Sequence, residues 1–198
     1  MKPLLLLCLI CICSQIEAIG QSAQYNFRQG YRFINRAERN IDLGLYKRAD
    51  KQLAKAKKSD YGFCGNAWVE AFADIYLLES QLYIQQNQYD SALAVLDSLG
   101  GCWLGGDCDK KDSLIISILY LKFGKEKVRS AIENANTISI KQSNYFNTPY
   151  IYLPELGYNF FLYAFQEMDF DDTTSTTFTD DKIKEILFAF KHNKYIAQ

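Results

Sequence analysis

The 198-residue sequence predicts an all-α protein, with antiparallel helical hairpins stacked as a short solenoid and closed by a C-terminal helix pair. Three observations predict it. Prolines occur only at Pro3, Pro149 and Pro154, so the interior from Gln21 to Thr148 is free of the residue that breaks helices by removing an amide donor. Apolar residues in that interval recur at three- and four-residue steps, the period of one helix face. The helical stretches also alternate between longer and shorter, as helices folded back in pairs do.

The elements follow in order. Phe27, Tyr31, Ile34, Ala37 and Ile41 make a first stripe, and Tyr46, Ala49, Leu53 and Ala56 a second, with Gly44 as the helix stop between them. Ala67 to Gln86 reads as a long helix carrying Ala71, Ile75, Leu78 and Leu82. After Asn87-Gln88, a shorter one from Tyr89 to Leu99 turns Ala92, Val95, Leu96 and Leu99 inward. Lys110 to Phe123 and Lys125 to Ala135 repeat the form around Gly124. Thr137 to Tyr152, polar and aromatic, reads as a connecting loop. Pro154-Glu155 is expected to open an apolar helix through Leu156, Phe160, Phe161, Tyr163, Ala164 and Phe165. An acidic, Thr-rich loop from Asp169 leads to Thr179-Asp180-Asp181, which caps a last helix through Ile183, Ile186, Leu187 and Phe190. The hairpins thus occupy about 27–58, 67–99 and 110–136, and the terminal helix pair about 154–193.

Ahead of these helices, Met1-Lys2-Pro3 precedes a run from Leu4 to Ile12 made only of Leu, Ile and Cys, and Ala18-Ile19-Gly20 follows. A positive end, a short apolar core and a small-x-small site, in that order, predict a secretory signal peptide over residues 1–20. The core is well short of the roughly 20 apolar residues that a membrane-spanning helix needs. Cleavage is expected after Gly20, with Ala18 as the alternative. Residues 21–198 would then form one helical-repeat domain in the periplasm or outside the cell, with no transmembrane anchor. The absence of an Asn-x-Ser/Thr sequon favours a bacterial envelope. A lipid-carrying cysteine is the lesser alternative, because bulky Leu7, Ile10 and Ile12 precede Cys8, Cys11 and Cys13.

Export makes one disulfide the expectation for the three cysteines beyond the leader, Cys64, Cys102 and Cys108. In alternating hairpins the loop of Cys64 and the loop of Cys102 and Cys108 lie at the same end, which favours Cys64 paired with either. A Cys102–Cys108 bridge is the alternative.

Gly44-Leu45-Tyr46 through Ala49 and Leu53 aligns with Asn87-Gln88-Tyr89 through Ala92 and Leu96. Upstream at the same spacing, Phe33 faces Tyr76 and Ala37 faces Ser80. Small residues there let two helices approach and large ones fill the adjacent hole. At these residues the chain resembles the tetratricopeptide repeat family, with two recognisable copies and a degenerate third from Leu114 to Ala135. Arg36 and Glu79 stand where the family usually has a leucine-like residue, and the spacing exceeds the family's usual 34. The resemblance implies a partner groove lined by the first helices: Tyr31, Ile34, Glu38 and Ile41 in copy one, and Asp74, Leu77, Gln81 and Ile84 in copy two.

Charge is unevenly spread. From Gln21 to Ser59 there are ten Lys/Arg against three Asp/Glu, a net of +7, while the chain from Asp60 onward carries eleven against nineteen, a net of −8. Arg28, Arg32, Arg36 and Arg39 recur at steps of four, four and three, and so do Lys47, Lys51, Lys55 and Lys58. Each set lies along one side of a helix, either as a solvated face or as a surface that docks an acidic protein, polysaccharide or lipid head group.

Catalytic signals are few. His192 is the single histidine and lies near the end of the sequence. No nucleophile elbow, zinc-protease helix or phosphate-binding glycine loop occurs. The aspartates at 107, 109 and 112 and at 169, 171 and 172 lack the spacing of a calcium loop. The expectation is therefore no catalytic residue, metal or cofactor. The predicted function is a non-enzymatic scaffold that binds another envelope or secreted protein. The alternative is a small exported hydrolase or carbohydrate-binding module, which for hydrolysis needs two carboxylates roughly 5–10 Å apart beside aromatic platforms.

Overall fold

A computed structural model describes residues 24–62, 65–99, 108–142, 146–168 and 178–192, with backbone alone for Cys108, Asp109, Glu167 and Met168. The leader, the thiols of Cys64, Cys102 and Cys108, the disulfide choice and most of the two aspartate clusters lie outside the described residues. The chain divides into two compact units, one ending at Leu82 and one beginning at Tyr83.

In the first unit, α1 spans Phe27–Asp42 and α2 spans Tyr46–Ala56, and the third helix, α3 (Gly65–Gln85), runs on past the unit boundary. Asn26 starts α1 with a capping box: its side chain accepts from the Gln29 amide at 3.1 Å, and the Gln29 side chain accepts from the Asn26 amide at 3.0 Å. The two reciprocal bonds satisfy donors that a helix start leaves open. Phe33, Ile34, Ala37 and Ile41 of α1 pack with Ala49, Leu53 and Ala56 of α2 and with Ala71, Ile75, Leu78 and Leu82 of α3. Ala37, Ala49, Ala56 and Ala71 are fully buried, the small residues that allow close helix approach. On α3, Ala73, Leu77 and Ser80 are buried as well, so this helix is covered on two opposite faces. Beyond α2, Tyr61 fills the space over Gly30 and donates its hydroxyl to the Ala56 carbonyl at 2.9 Å. The Asp60 amide donates to the Tyr25 carbonyl at 2.7 Å, holding the segment before α1 against the one after α2.

The second unit contains α4 (Tyr89–Ser98), α5 (Cys108–Phe123), α6 (Lys125–Asn134) and α7 (Asp180–Lys191). Ile115, Ile116, Ile118 and Leu119 of α5 are buried with Val128, Ala131 and Ile132 of α6. Lys122 pairs with Asp90, linking α5 to α4. Thr179 caps α7 as expected, accepting from the Lys182 amide at 3.3 Å.

Between α6 and α7 the chain departs from expectation. In place of the loop over Thr137 to Tyr152 and the helix opened by Pro154, it forms an antiparallel sheet: β1 (Ser139–Gln142), β2 (Phe146–Leu153), β3 (Tyr158–Phe161) and β4 (Glu167–Met168). β1 lies on one edge of β2, and β3 and β4 lie on the other. The all-α class therefore becomes a mostly helical fold with a small sheet, and the terminal helix pair becomes a sheet followed by one helix. The physical reason is a change of period. Ile151 and Leu153 are fully buried while Tyr152 between them is 54 % exposed, the alternation of a strand with one covered face. Pro154 to Gly157 form the hairpin turn, closed by Gly157 at φ 61°. Pro149 is accommodated where β3 leaves the ladder: its carbonyl accepts from the Leu162 amide at 2.9 Å, and its missing donor falls at that edge. Phe160 of β3 is fully buried with its ring centroid 5.0 Å from that of Phe190 on α7, so the last helix closes over the sheet.

Two interhelical turns share one geometry. Gly44 (φ 68°) follows α1, with the Leu45 amide bonded to the Asn40 carbonyl at 2.7 Å and the Gly44 amide to that of Ile41 at 2.9 Å. Asn87 (φ 57°) follows α3, with Gln88 bonded to Tyr83 and Asn87 to Ile84, both at 2.9 Å. Both are Schellman closures. The α5–α6 turn differs, since Gly124 alone separates the helices and its amide bonds back to Tyr120 at 3.0 Å.

Candidate functional site

The basic residues of the first hairpin are positioned by the core beneath them. Gly30, Phe33, Ile34, Ala37 and Ile41 define the inner side of α1, and at 100° per residue Arg28, Arg32, Arg36 and Arg39 fall on the opposite side. Lys47, Lys51 and Lys55 stand in the same relation to Ala49, Leu53 and Ala56 on α2, with Lys58 just beyond its end. All eight are exposed, as a solvated face requires. Among the described residues none of them enters an ion pair. Lys55 stands over the Phe33 ring at 5.5 Å. Lys57, which points to a different side, bonds Glu79 at 2.6 Å and lies 5.3 Å over the Tyr76 ring. Glu79 of α3 thus serves as the ionic partner of Lys57, just past the end of α2.

The groove residues separate. Ile34 and Ile41 belong to the core shared by the three helices, and Leu77 is 4 % exposed, so these three cannot line a surface groove. The reason is rotational for Ile34 and Ile41, which share a stripe with Ala37, while Leu77 lies on the second buried face of α3. Glu38 is exposed, and Tyr31, Asp74, Gln81 and Ile84 are half-buried. Tyr31 stands edge-on to Tyr61 at 5.6 Å and to Phe27 at 5.0 Å. Burial pushes its hydroxyl up from the ordinary tyrosine value, with the Glu70 and Asp74 carboxylates adding to the shift. The chain beyond Tyr61 continues the rings through Trp68 and Phe72, and the Trp68 indole donates to the Gly62 carbonyl at 2.6 Å.

A second group, absent from the sequence reading, joins helices to sheet in the second unit. Asp97 of α4 accepts from the Tyr158 hydroxyl of β3 at 3.1 Å, and the Tyr163 hydroxyl lies 3.5 Å from the Asp97 backbone carbonyl. Lys111 of α5 is 1 % exposed, with its ammonium 3.7 Å from the Tyr163 ring centroid. Burial drives its pKa down to about 8, against the pull of Asp97 and Asp112. Burial likewise raises Asp97, which the Tyr158 hydrogen bond and Lys111 partly offset. It raises Tyr158 strongly and takes Tyr163 to about 12, with the Asp97 charge adding to both. The Asp97 carboxylate, set among Lys111, Tyr158 and Tyr163, is a cross-link between elements of this unit. The signal was present in the sequence as a lysine in helical register with Ile115 and Ile118, on the face that the core covers.

Among the described residues no helix is long and apolar enough to cross a membrane. No protein-family model, curated protein or solved structure matches the chain.

Proposed function

We propose that the chain is an exported, non-enzymatic interaction module, whose basic first hairpin docks an acidic surface of another envelope or secreted protein. The observation that carries this reading is the set of eight exposed cations, seven on α1 and α2 and Lys58 just beyond α2, turned away from the core and outside any ion pair among the described residues. Cations spread over two adjoining helices make a field that steers an acidic partner and fixes its register more than it adds raw affinity. Export rests on the leader pattern of residues 1–20. The repeat reading is supported by the shared closures at Gly44 and Asn87, and a solenoid of tetratricopeptide type is the architecture we infer from them.

Photo-crosslinking tests the docking face. A benzophenone side chain placed at Arg36 or Lys51 should capture the same acidic protein from a native envelope extract, and at Phe188 of α7, 65 % exposed, should not. Capture that is equal from all three positions, or none from the hairpin, would count against the proposal.

A further inference from the structure

A groove of about 330 Å³ opens in the second unit where α6 ends beside β1 and the β2–β3 turn. Its size is at the lower end of small-molecule sites, roughly 300–1,000 Å³. We propose that it binds a neutral oligosaccharide and does not cleave it. This goes beyond the docking function and uses none of the basic-face residues.

Among the described residues the groove's one aromatic ring belongs to Tyr152, which the strand period turns outward between buried Ile151 and Leu153. A half-exposed phenol offers a flat apolar face at small entropic cost, suited to the C–H face of a sugar ring. Around it stand Asn134, Asn136, Thr137 and Ser139. Amides and hydroxyls both donate and accept, so this set matches a ligand whose own groups are hydroxyls. The Thr137 hydroxyl donates to Asn136 Oδ1 at 3.0 Å, which leaves the Asn136 amide protons directed to other acceptors.

Charge narrows the class. Among the described residues no lysine or arginine lines the groove, so a phosphate, sulfate or uronate would find no compensating charge from them. A cation would find the single carboxylate of exposed Glu155, but the carbonyl end of α6 is already served: the Lys191 ammonium donates to the Glu133 carbonyl at 2.9 Å. One carboxylate also falls short of the pair that glycoside hydrolysis uses.

The test is saturation-transfer NMR on the full chain with maltotriose, cellotriose and triacetylchitotriose, and with argininamide and glucuronate as charged probes. At least one neutral trisaccharide should bind saturably, with transfer to its ring C–H protons. Tyr152→Ala should weaken that binding about tenfold or more and Asn136→Ala several-fold, while Tyr152→Phe keeps it within about threefold. Unchanged thermal unfolding of the variants would place these losses at the groove. Absence of saturable binding by all three sugars, binding that survives Tyr152→Ala, or binding of a charged probe alone would overturn the proposal.

Discussion

Gly44 and Asn87 occupy the same place in two turns 43 residues apart, each closing its helix from a left-handed backbone conformation (φ 68° and 57°). The residue types differ in cost there. Glycine enters this region freely, whereas asparagine is tolerated at some expense. Gly44→Ala should therefore destabilise the chain by about 1 kcal/mol, and Asn87→Gly should be neutral or slightly stabilising. Urea unfolding with an unchanged slope would measure both.

Among the described glycines, Gly30 is the position where a side chain has no room. An added Cβ would stand 2.7 Å from the Tyr61 ring and 2.8 Å from the Ser59 Cβ. Gly30→Ala should cost about 1–3 kcal/mol through displaced packing, although alanine is the better helix former. Tyr61→Phe keeps the ring and loses only the bond to the Ala56 carbonyl, at about 1 kcal/mol. Equal stability of Gly30→Ala and the parent chain would contradict the close approach.

The Tyr158–Asp97 bond gives a sharper contrast. Tyr158→Phe leaves a raised, mostly enclosed carboxylate short of a donor and should cost about 1.5–3 kcal/mol. Tyr152→Phe, six residues earlier on an exposed phase of the sheet, should leave unfolding unchanged.

Lys111 makes stability depend on pH. Its pKa is about 8 in the folded chain against 10.5 when unperturbed, so between these values the unfolded chain binds more protons. Stability should rise with pH from about 8 toward 10, and this contribution should be flat below 8. Above 10 the raised tyrosines Tyr158 and Tyr163 oppose it, because the folded chain then holds protons that the unfolded chain releases. Asp97, Asp112 and Tyr163 are the groups that set the lysine's surroundings. In Lys111→Met the rise between pH 8 and 10 should vanish, which denaturant midpoints at half-unit pH steps would resolve.

The helical part of the fold was readable because its apolar residues keep one period. Gly44, Asn87 and Gly124 punctuate six helices, and each of the predicted helices over 27–135 forms. The sheet was not readable by the same rule. Phe146 to Phe161 mixes aromatic and aliphatic residues with Asn147, Thr148, Glu155 and Asn159 and keeps no clean alternation, and Pro154-Glu155 looks like a helix start when it is in fact the first half of a turn that Gly157 completes. Period two and period 3.6 are hard to separate over so short a run. The basic stripes were legible because exposed charges need only helix geometry to be placed. The groove reading failed at Ile34 and Ile41 because they share the α1 stripe of Ala37 that faces the core, and at Leu77 because α3 is covered on a second face as well. Lys111 and Asp97 escaped notice because burial of a charge is decided by partners far along the chain, Tyr158 being 61 residues from Asp97.

The central claim is that the outer side of the first hairpin holds a protein partner through charge. Its most direct test is capture from native extract by the parent chain and by the variant Arg32→Glu, Arg36→Glu, Lys47→Glu, Lys51→Glu, across a salt series. All four positions are exposed and outside ion pairs among the described residues, so folding should persist. The parent should retain one acidic protein at low salt and release it as salt screens the face, and the variant should retain less than about a tenth as much. Equal capture by parent and variant, or capture indifferent to salt, would contradict the account.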